Sequence, residues 1–309
     1  MNQKVYLVLF GGLGNQLFQF ANALDISGDN EIIILARLGN PRIQRNGNIE
    51  LQEFNLPNNV KIDYHLASKT LTKLLSYLLS RNLFQLNLIR KFKIRAIKLI
   101  AEILASIKLR TRINISISSN IGYSAKFDRT TNMPIGYFQS IKGLNSSTIT
   151  TMKRMKIHSF SKIQKIMNEK YVLDNALVLH IRMGDYRNES KIGMLKKEYF
   201  LNALDQFNCE DNRHIMLFSD EYDSAFKYIP DEFKDRIIRV NSYGLNSAEV
   251  LEQMRYGKDY IISNSTFSWW AAFMSYSKNP CVIAPEPWFV SGVDVSYIIP
   301  DNWNTVSRK

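Results

Sequence analysis

Between residues 176 and 287, short wholly apolar runs alternate with amphipathic stretches of helical length, and few folds accept that pattern. "ALVLHIR" (176–182) reads as a buried strand, "EYFLNALDQF" (198–207) as a helix, and "HIMLFSD" (214–220) and "RIIRVN" (236–241) as two more strands. A helix follows at "SAEVLEQMRYG" (247–257), a strand at "DYIISNS" (259–265), a helix at "FSWWAAFMS" (267–275) and a strand at "CVIAPEP" (281–287). Such an alternation predicts an α/β architecture, a parallel sheet covered on both faces.

The N-terminal half opens the same way. Strands at "VYLVLF" (5–10) and "EIIILA" (31–36) flank a helix that follows a glycine-rich turn. The pattern then blurs: residues 40–65 are rich in Asn, Pro and polar groups, residues 71–112 are basic and helical, and "IGYFQS" (135–140) returns to the sheet. A chain of 309 residues, 45% of them hydrophobic, has the length of about two ordinary domains. Lys153 to Asn175 read as a helical connection, so the expected division is 1–160 and 161–309.

The formal charge of +12 calls for an anionic partner such as nucleic acid, a membrane surface or a phosphorylated substrate. Most of the charge sits in residues 71–112, where Lys73, Arg81, Arg90, Lys91, Lys93, Arg95, Lys98, Lys108, Arg110 and Arg112 face one acid, Glu102. Apolar residues recur there at helical spacing, Leu71, Leu74, Leu75 and Leu78, then Phe92, Ile97, Ile100, Leu104 and Ile107. Two readings stay open. Either the stripe packs on the N-terminal sheet and the charges are solvated, or the segment lies on an anionic membrane surface. Aromatic rings are too sparse in it for a nucleic-acid stacking surface, so no nucleic-acid partner is expected.

The longest uncharged run, Tyr260 to Ser277, is near the length of a membrane span but carries Ser263, Asn264, Ser265, Thr266 and Ser268 in its first half, which argues against a transmembrane helix. Cys209 and Cys281 make no disulfide framework, and no basic-apolar-small leader is evident. A cytoplasmic setting, peripheral on the inner face of a membrane if the basic segment docks there, is the expectation.

The glycine turn "GGLGNQLFQ" (11–19) lacks the dinucleotide fingerprint. Gly12 and Gly14 fit it, but Leu17 takes the third glycine's place and the second strand ends in Ala36 and Arg37 rather than an acid. The turn offers instead two amides, Asn15 and Gln16, which suit a hydroxyl-rich ligand; the alternative is that Asn15 caps the helix.

Two further loops should emerge at the carboxyl edge of the C-terminal sheet, where open α/β folds bind ligands. "LHIRMGDYRN" (179–188) brings His180, Arg182 and Asp185, and a guanidinium there suits a phosphate, unless Arg182 and Asp185 form only a structural ion pair. "IISNSTFSWWAAFM" (261–274) brings a helix start with the hydroxyls of Ser265, Thr266 and Ser268, an anion cradle; Trp269 and Trp270 read as core. No D-x-D pair and no His/Cys cluster at ligand spacing occurs, so no metal is expected and phosphate charge must be met by arginine and helix amides.

Taken together, "GGLGNQLFQ", "GYFQS", "LHIRMGDY", "FSD" and "SNSTFSWWAA" followed by "WF" resemble the bacterial α-1,2-fucosyltransferases of glycosyltransferase family 11, in the family's order from residue 11 to residue 289. The resemblance implies a GT-B fold, two Rossmann-like domains facing each other across a cleft, with GDP-L-fucose as donor substrate and no cofactor. It also implies an oligosaccharide or lipid-linked β-galactoside acceptor, inversion and no metal. By motif, Arg182 would hold the β-phosphate and His180 would lie near guanine. Glu249 in "NSAEVLEQM" would recognise guanine, and Asn264, Ser265, Thr266 and Ser268 would cover the phosphates. Gly12, Gly14, Asn15 and Gln16 would form the acceptor loop, with Asn15 at the reaction centre. One departure is Met183, where the family commonly has a second arginine.

An inverting transfer needs help at the leaving diphosphate, from Arg182 and the 265–268 loop, and at the attacking hydroxyl, from a base. Asp185 is the candidate base, with Asp220 and Glu189 as alternatives. The rival functions are transfer from another nucleotide sugar and, more distantly, basic nucleic-acid binding.

Overall fold

The computed structural model describes residues 4–39, 49–80, 88–118, 130–158, 175–189, 192–207, 213–240, 244–290 and 297–308. Its contacts divide the chain into two compact units, Met1–Met152 and Lys153–Lys309.

In the N-terminal unit, β1 (Val5–Leu7), β2 (Ile32–Leu35) and β3 (Val60–Asp63) form a parallel sheet in that order, and β4 (Ile115–Ile117) pairs in parallel with β5 (Met133–Ile135). The amide of Tyr6 donates to the Asn132 carbonyl at 2.7 Å and so ties β1 to the approach of β5. Helix α1 (Leu13–Ser27) follows the glycine turn, α2 (Lys69–Leu79) and α3 (Leu88–Leu109) carry the basic segment, and α4 (Ser146–Arg154) runs two residues past the unit's last residue, Met152. Ser68 caps α2 by accepting the Leu71 amide, and Leu71, Leu75 and Leu78, spaced i, i+4, i+7, go into a core shared with Tyr6, Val8, Met133 and Ile135.

The basic segment is thus two helices, with residues 81–87 outside the described part. Strand β3 lies in the Asn- and Pro-rich stretch that the sequence reading left irregular, and it is half-exposed, which is why no apolar run announces it. The expected link at 153–175 falls largely on residues 159–174, outside the described part.

The C-terminal unit is built on one six-stranded parallel sheet. Its strands are β6 (Leu177–Ile181), β7 (Ile215–Ser219), β8 (Ile237–Arg239), β9 (Asp259–Ile261), β10 (Val282–Glu286) and β11 (Asn304–Ser307), in the order β11-β10-β9-β6-β7-β8. Helices α5 (Lys197–Asp205), α6 (Tyr222–Phe226), α7 (Asp231–Lys234), α8 (Ser247–Met254) and α9 (Thr266–Phe273) connect them. All of β6 is buried, as a central strand covered on both faces must be. The chain runs outward from β6 through β7 and β8, then returns to β9 on β6's other side. That reversal leaves a crevice at the carboxyl ends of β6 and β9, the place where such sheets bind ligands.

The long uncharged run contains β9, its loop and α9, and no described helix is long and apolar enough to cross a membrane. Trp269 and Trp270 are fully buried, Trp269 donating its indole N–H to the Ile298 carbonyl at 2.7 Å. Arg255, also fully buried, pairs with Glu252 at 2.7 Å and donates to the carbonyls of Met274 and Met155, each at 2.8 Å. Met155, among the first residues of the C-terminal unit, is thereby fixed to the end of α8.

Candidate active site

The switch point collects the two loops singled out in the sequence. Arg182 is the first residue beyond β6, and its amide donates to Ser263 Oγ at 3.0 Å; the same hydroxyl donates to the His180 carbonyl at 2.7 Å. Ser263 leaves β9, so one hydroxyl joins the exits of the two strands that flank the crevice. The pairing of β6 with β9 ends at Leu179 and Ile261, and beyond it the hydroxyl, which can donate and accept at once, makes both connections.

The Arg182 guanidinium meets two carboxylates. Nε and Nη2 donate to Asp185 Oδ1 at 3.1 and 2.9 Å, and Nη1 stands 3.4 Å from Asp220 Oδ2. Asp220, at the end of β7, also accepts the Met183 amide at 3.0 Å. Gly184 is required by this arrangement, because a Cβ there would stand 2.5 Å from Asp220 Oδ2. Beyond it, Arg187 and Glu221 form a two-pronged pair at 2.7 and 2.6 Å. Tyr186 spans the crevice: its ring lies 5.7 Å from the guanidinium carbon and its hydroxyl donates to the Asn264 carbonyl at 3.3 Å. Burial raises its phenol pKa.

Met183, the departure from the two-arginine motif, is buried in the apolar core with Leu179 and Ile181. The position serves packing here.

His180 is 5% exposed, faces the Phe267 ring at 6.2 Å between centroids, and its Nδ1 has no hydrogen-bond partner. Burial, with the adjacent Arg182 charge, pushes its pKa down to about 3, so the imidazole is neutral at pH 7.

The loop after β9 differs in part from the expected cradle. Ser265 is the N-cap of α9, its Oγ accepting the Phe267 amide at 3.4 Å, and Thr266 is half-buried. Ser268, however, is fully buried and turns its hydroxyl to the carbonyls of Ser263 and Ser265. Asn264 is 2% exposed, and its amide donates to the carbonyls of Ile192 and Gly193 at 3.1 and 3.0 Å. These two side chains hold the loop rather than line it, because a first-turn serine and a buried asparagine find backbone carbonyls closer than solvent. Glu249 forms a capping box with Asn246 at the start of α8: its Oε2 accepts the Asn246 amide and its own amide donates to Asn246 Oδ1, both at 2.9 Å. The N-S-A-E spacing is the sequence signal for that box.

In the N-terminal unit the amides of the glycine turn also gather. Helix α1 starts after Gly12 without a side-chain cap, so Asn15 does not cap it. Asn15 Oδ1 instead accepts from Gln139 Nε2 at 2.8 Å. Gln16 donates to the Gly11 carbonyl at 3.2 Å, and its Oε1, like that of Gln139, is buried without a partner. Gln19 clamps the turn by accepting the Phe10 amide and donating to its carbonyl. The conformational demand falls on Gly11 rather than Gly12 or Gly14: Gly11 has φ +75°, and a Cβ there would stand 2.5 Å from Asn15 Nδ2. Phe138 sits at φ 51°, a strained conformation for a side-chain-bearing residue, directly before Gln139. Gln139 was missed as a site residue by sequence reasoning, though it lies in the quoted "GYFQS"; a polar side chain between aromatic and small residues carries no period that marks it.

Among the described residues no three His, Cys, Asp or Glu side chains gather as metal ligands. The sequence profile described as glycosyl transferase family 11 matches residues 4–304. The chain belongs to that family. Two Escherichia coli proteins are similar to it over nearly their whole lengths. An alpha-1,2-colitosyltransferase is 26% identical over 296 residues, covering 91% of each chain. The O-antigen biosynthesis glycosyltransferase WbnK is 26% identical over 320 residues, 97% of this chain and 99% of the relative.

Solved structures resemble the family 11 chain in fold. The fucosyltransferase NodZ from Bradyrhizobium superposes with a TM-score of 0.50 at 12% identity, covering 89% of this chain and 94% of that one. The E. coli ADP-heptose heptosyltransferase II superposes with a TM-score of 0.50 at 9% identity, covering 98% and 90%. The architecture is accordingly that of a GT-B-type glycosyltransferase with two α/β units, and a family 11 enzyme requires a nucleotide-sugar donor and a glycan acceptor.

Proposed function

We propose that this glycosyltransferase moves L-fucose from GDP-L-fucose to O2 of a β-galactoside in a surface glycan, with inversion and without a metal. The observation that carries the reading is the Arg182 guanidinium at the switch point, next to the serine loop that opens α9. A diphosphate there meets a planar two-pronged donor and a helix N-terminus, the two groups that replace a cation when phosphate charge grows.

On this reading the acceptor hydroxyl attacks the anomeric carbon, the new C1–O2 bond forms as the C1–phosphate oxygen bond breaks, and GDP leaves with the electron pair. Arg182 stabilises the growing β-phosphate charge. Asp185 takes the Nε–Nη2 edge of that guanidinium, and a diphosphate bound by the same edge competes for those two donors. Donor binding therefore releases Asp185, and the freed carboxylate takes the proton of the attacking hydroxyl. The neutral His180 faces the Phe267 ring and adds no charge there, and in the N-terminal unit the unpartnered oxygens of Gln16 and Gln139, with Asn15 beside them, suit hydroxyl groups of an acceptor.

A second reading has a specific support. One relative is named for colitose, which is fucose lacking its 3-hydroxyl, so the donor sugar here could be that or another nucleotide-linked deoxyhexose. Incubating the protein with GDP-fucose, GDP-colitose and other nucleotide sugars in turn, each with a panel of β-galactosides, separates the two by mass spectrometry and NMR of the products. Transfer of fucose to galactose O2 supports the first reading, and transfer from another donor alone overturns it. Excess EDTA should leave the rate unchanged; activity lost to EDTA and restored by manganese or magnesium overturns metal independence.

A further inference from the structure

Helix α3 is apolar on two opposite faces. At about 100° per residue, Ile94, Ala101 and Ala105 share the face that packs into the N-terminal core. Phe92, Leu99, Ile100, Ile103 and Ile107 fall in an arc roughly 100° wide on the other side. All five are exposed, Phe92 at 74% and Ile107 at 69%. The stripe therefore divides: part of it packs with the sheet, and a second row is left in solvent. Five large apolar side chains in one row are a patch, unlike the scattered single ones every surface carries.

Basic residues edge the row on both sides. Lys91 and Arg95 run along one edge and Lys93 along the other, all exposed, with Lys108 in the last turn and Arg110 and Arg112 just past the helix end exposed as well. Glu102, the one acid of the segment, is committed elsewhere: its Oε1 accepts the Ile115 amide at 2.8 Å and lies 3.5 Å from Lys98 Nζ. Among the described residues of α3, the exposed side thus presents an apolar row between positive edges, with Glu102, the helix's one carboxylate, engaged by the Ile115 amide and Lys98.

We infer that this face of α3 lies in the surface of an anionic lipid bilayer, its apolar row at the acyl boundary and its basic edges among phosphate headgroups. Charge complementarity selects that occupant. A second copy of the chain would bring the same positive edges against these, and a neutral bilayer would leave them without counter-charge. Headgroup phosphates neutralise both edges while the row is buried. The helix lies along the surface, since no described helix is suited to crossing it. This inference goes beyond the proposed reaction and does not rest on the identity of the donor.

The test is co-sedimentation of the full chain with vesicles of phosphatidylcholine alone and of phosphatidylcholine with phosphatidylglycerol. Pelleting with the anionic vesicles, little with the neutral ones, and release by high salt are the expected results. Replacing Lys91→Gln with Arg95→Gln should weaken anionic partitioning more than about tenfold, and Ile103→Ser with Ile107→Ser should weaken it at every salt concentration. Melting curves of both variants should match the parent, because all four side chains are exposed. Equal, salt-independent partitioning to both vesicles overturns the inference, as does no binding to either. A dimer in solution that Ile103→Ser with Ile107→Ser abolishes, without vesicle binding, overturns it in favour of a second copy.

Discussion

The Asp220 carboxylate stands 3.4 Å from Arg182 while its other oxygen holds the Met183 amide at 3.0 Å, so the end of β7 aims the arginine that leaves β6. The guanidinium is only about one-third exposed and is held from two sides by carboxylates, a pre-aligned fork rather than a loose surface arginine. Arg182→Ala should lower kcat by about 10²–10³-fold, the usual cost of removing one aligned transition-state donor. Its melting temperature should stay near the parent's, because the side chain packs no core. Arg182→Lys should recover little, since a point charge cannot reproduce the fork. Turnover near the parent's in Arg182→Ala would remove the donor site from this crevice.

The Asn15–Gln139 hydrogen bond predicts coupled behaviour. Asn15→Ala should cost about 1 kcal/mol of stability, the worth of one internal hydrogen bond, and should reduce transfer to acceptor far more than GDP affinity. Gln139→Ala should do the same, and the double variant should lose little more than either single one. Additive losses measured in a double-mutant cycle would show that the two amides do not act as one unit.

His180 gives a pH dependence with a definite sign. Its folded pKa of about 3 lies below the ordinary value of 6.5, so between the two the unfolded chain binds the extra proton. Its contribution to stability is therefore whole above pH 6.5 and declines as the pH falls toward 3, by up to about 1.4 kcal/mol per pH unit. His180→Asn should flatten the acid limb of a denaturation series in that window. An unchanged acid limb would mean that His180 is protonated in the folded state.

The buried Arg255–Glu252 pair should be the most sensitive stability site away from the crevice. Arg255→Met leaves Glu252 buried with only the Tyr276 hydroxyl and frees the carbonyls of Met155 and Met274. A loss of about 3–5 kcal/mol is expected, and adding Glu252→Leu should return part of it by removing the uncompensated charge. Urea denaturation of both variants measures this, and a double variant weaker than Arg255→Met alone would contradict it.

Much of the C-terminal unit was legible in the chain. Apolar runs such as "ALVLHIR" and "CVIAPEP" mark strands buried on both faces, and the intervening amphipathic helices make their pairing parallel, because burial pattern and period are properties of adjacent residues. The edge strands β3 and β11 were not legible, since a half-exposed strand of four residues carries no distinctive run. Nor did the composition of the loop at 263–268 reveal that Ser268 and Asn264 turn inward, a choice made by whichever carbonyls the folded backbone brings near.

By itself the sequence determined the class of fold, the family motifs and the chemistry on offer: a guanidinium, a serine loop, a cluster of amides and a basic amphipathic helix. Only the tertiary structure decided which of these meet. The strand order that sets β6 beside β9 joins Arg182 to Ser263 through one hydroxyl, and the packing of Ile94, Ala101 and Ala105 leaves Phe92, Leu99, Ile103 and Ile107 facing solvent. The physical reason is that hydrophobic periodicity says which side chains avoid water, whereas strand neighbours and helix faces are settled by long-range pairing that no local window contains.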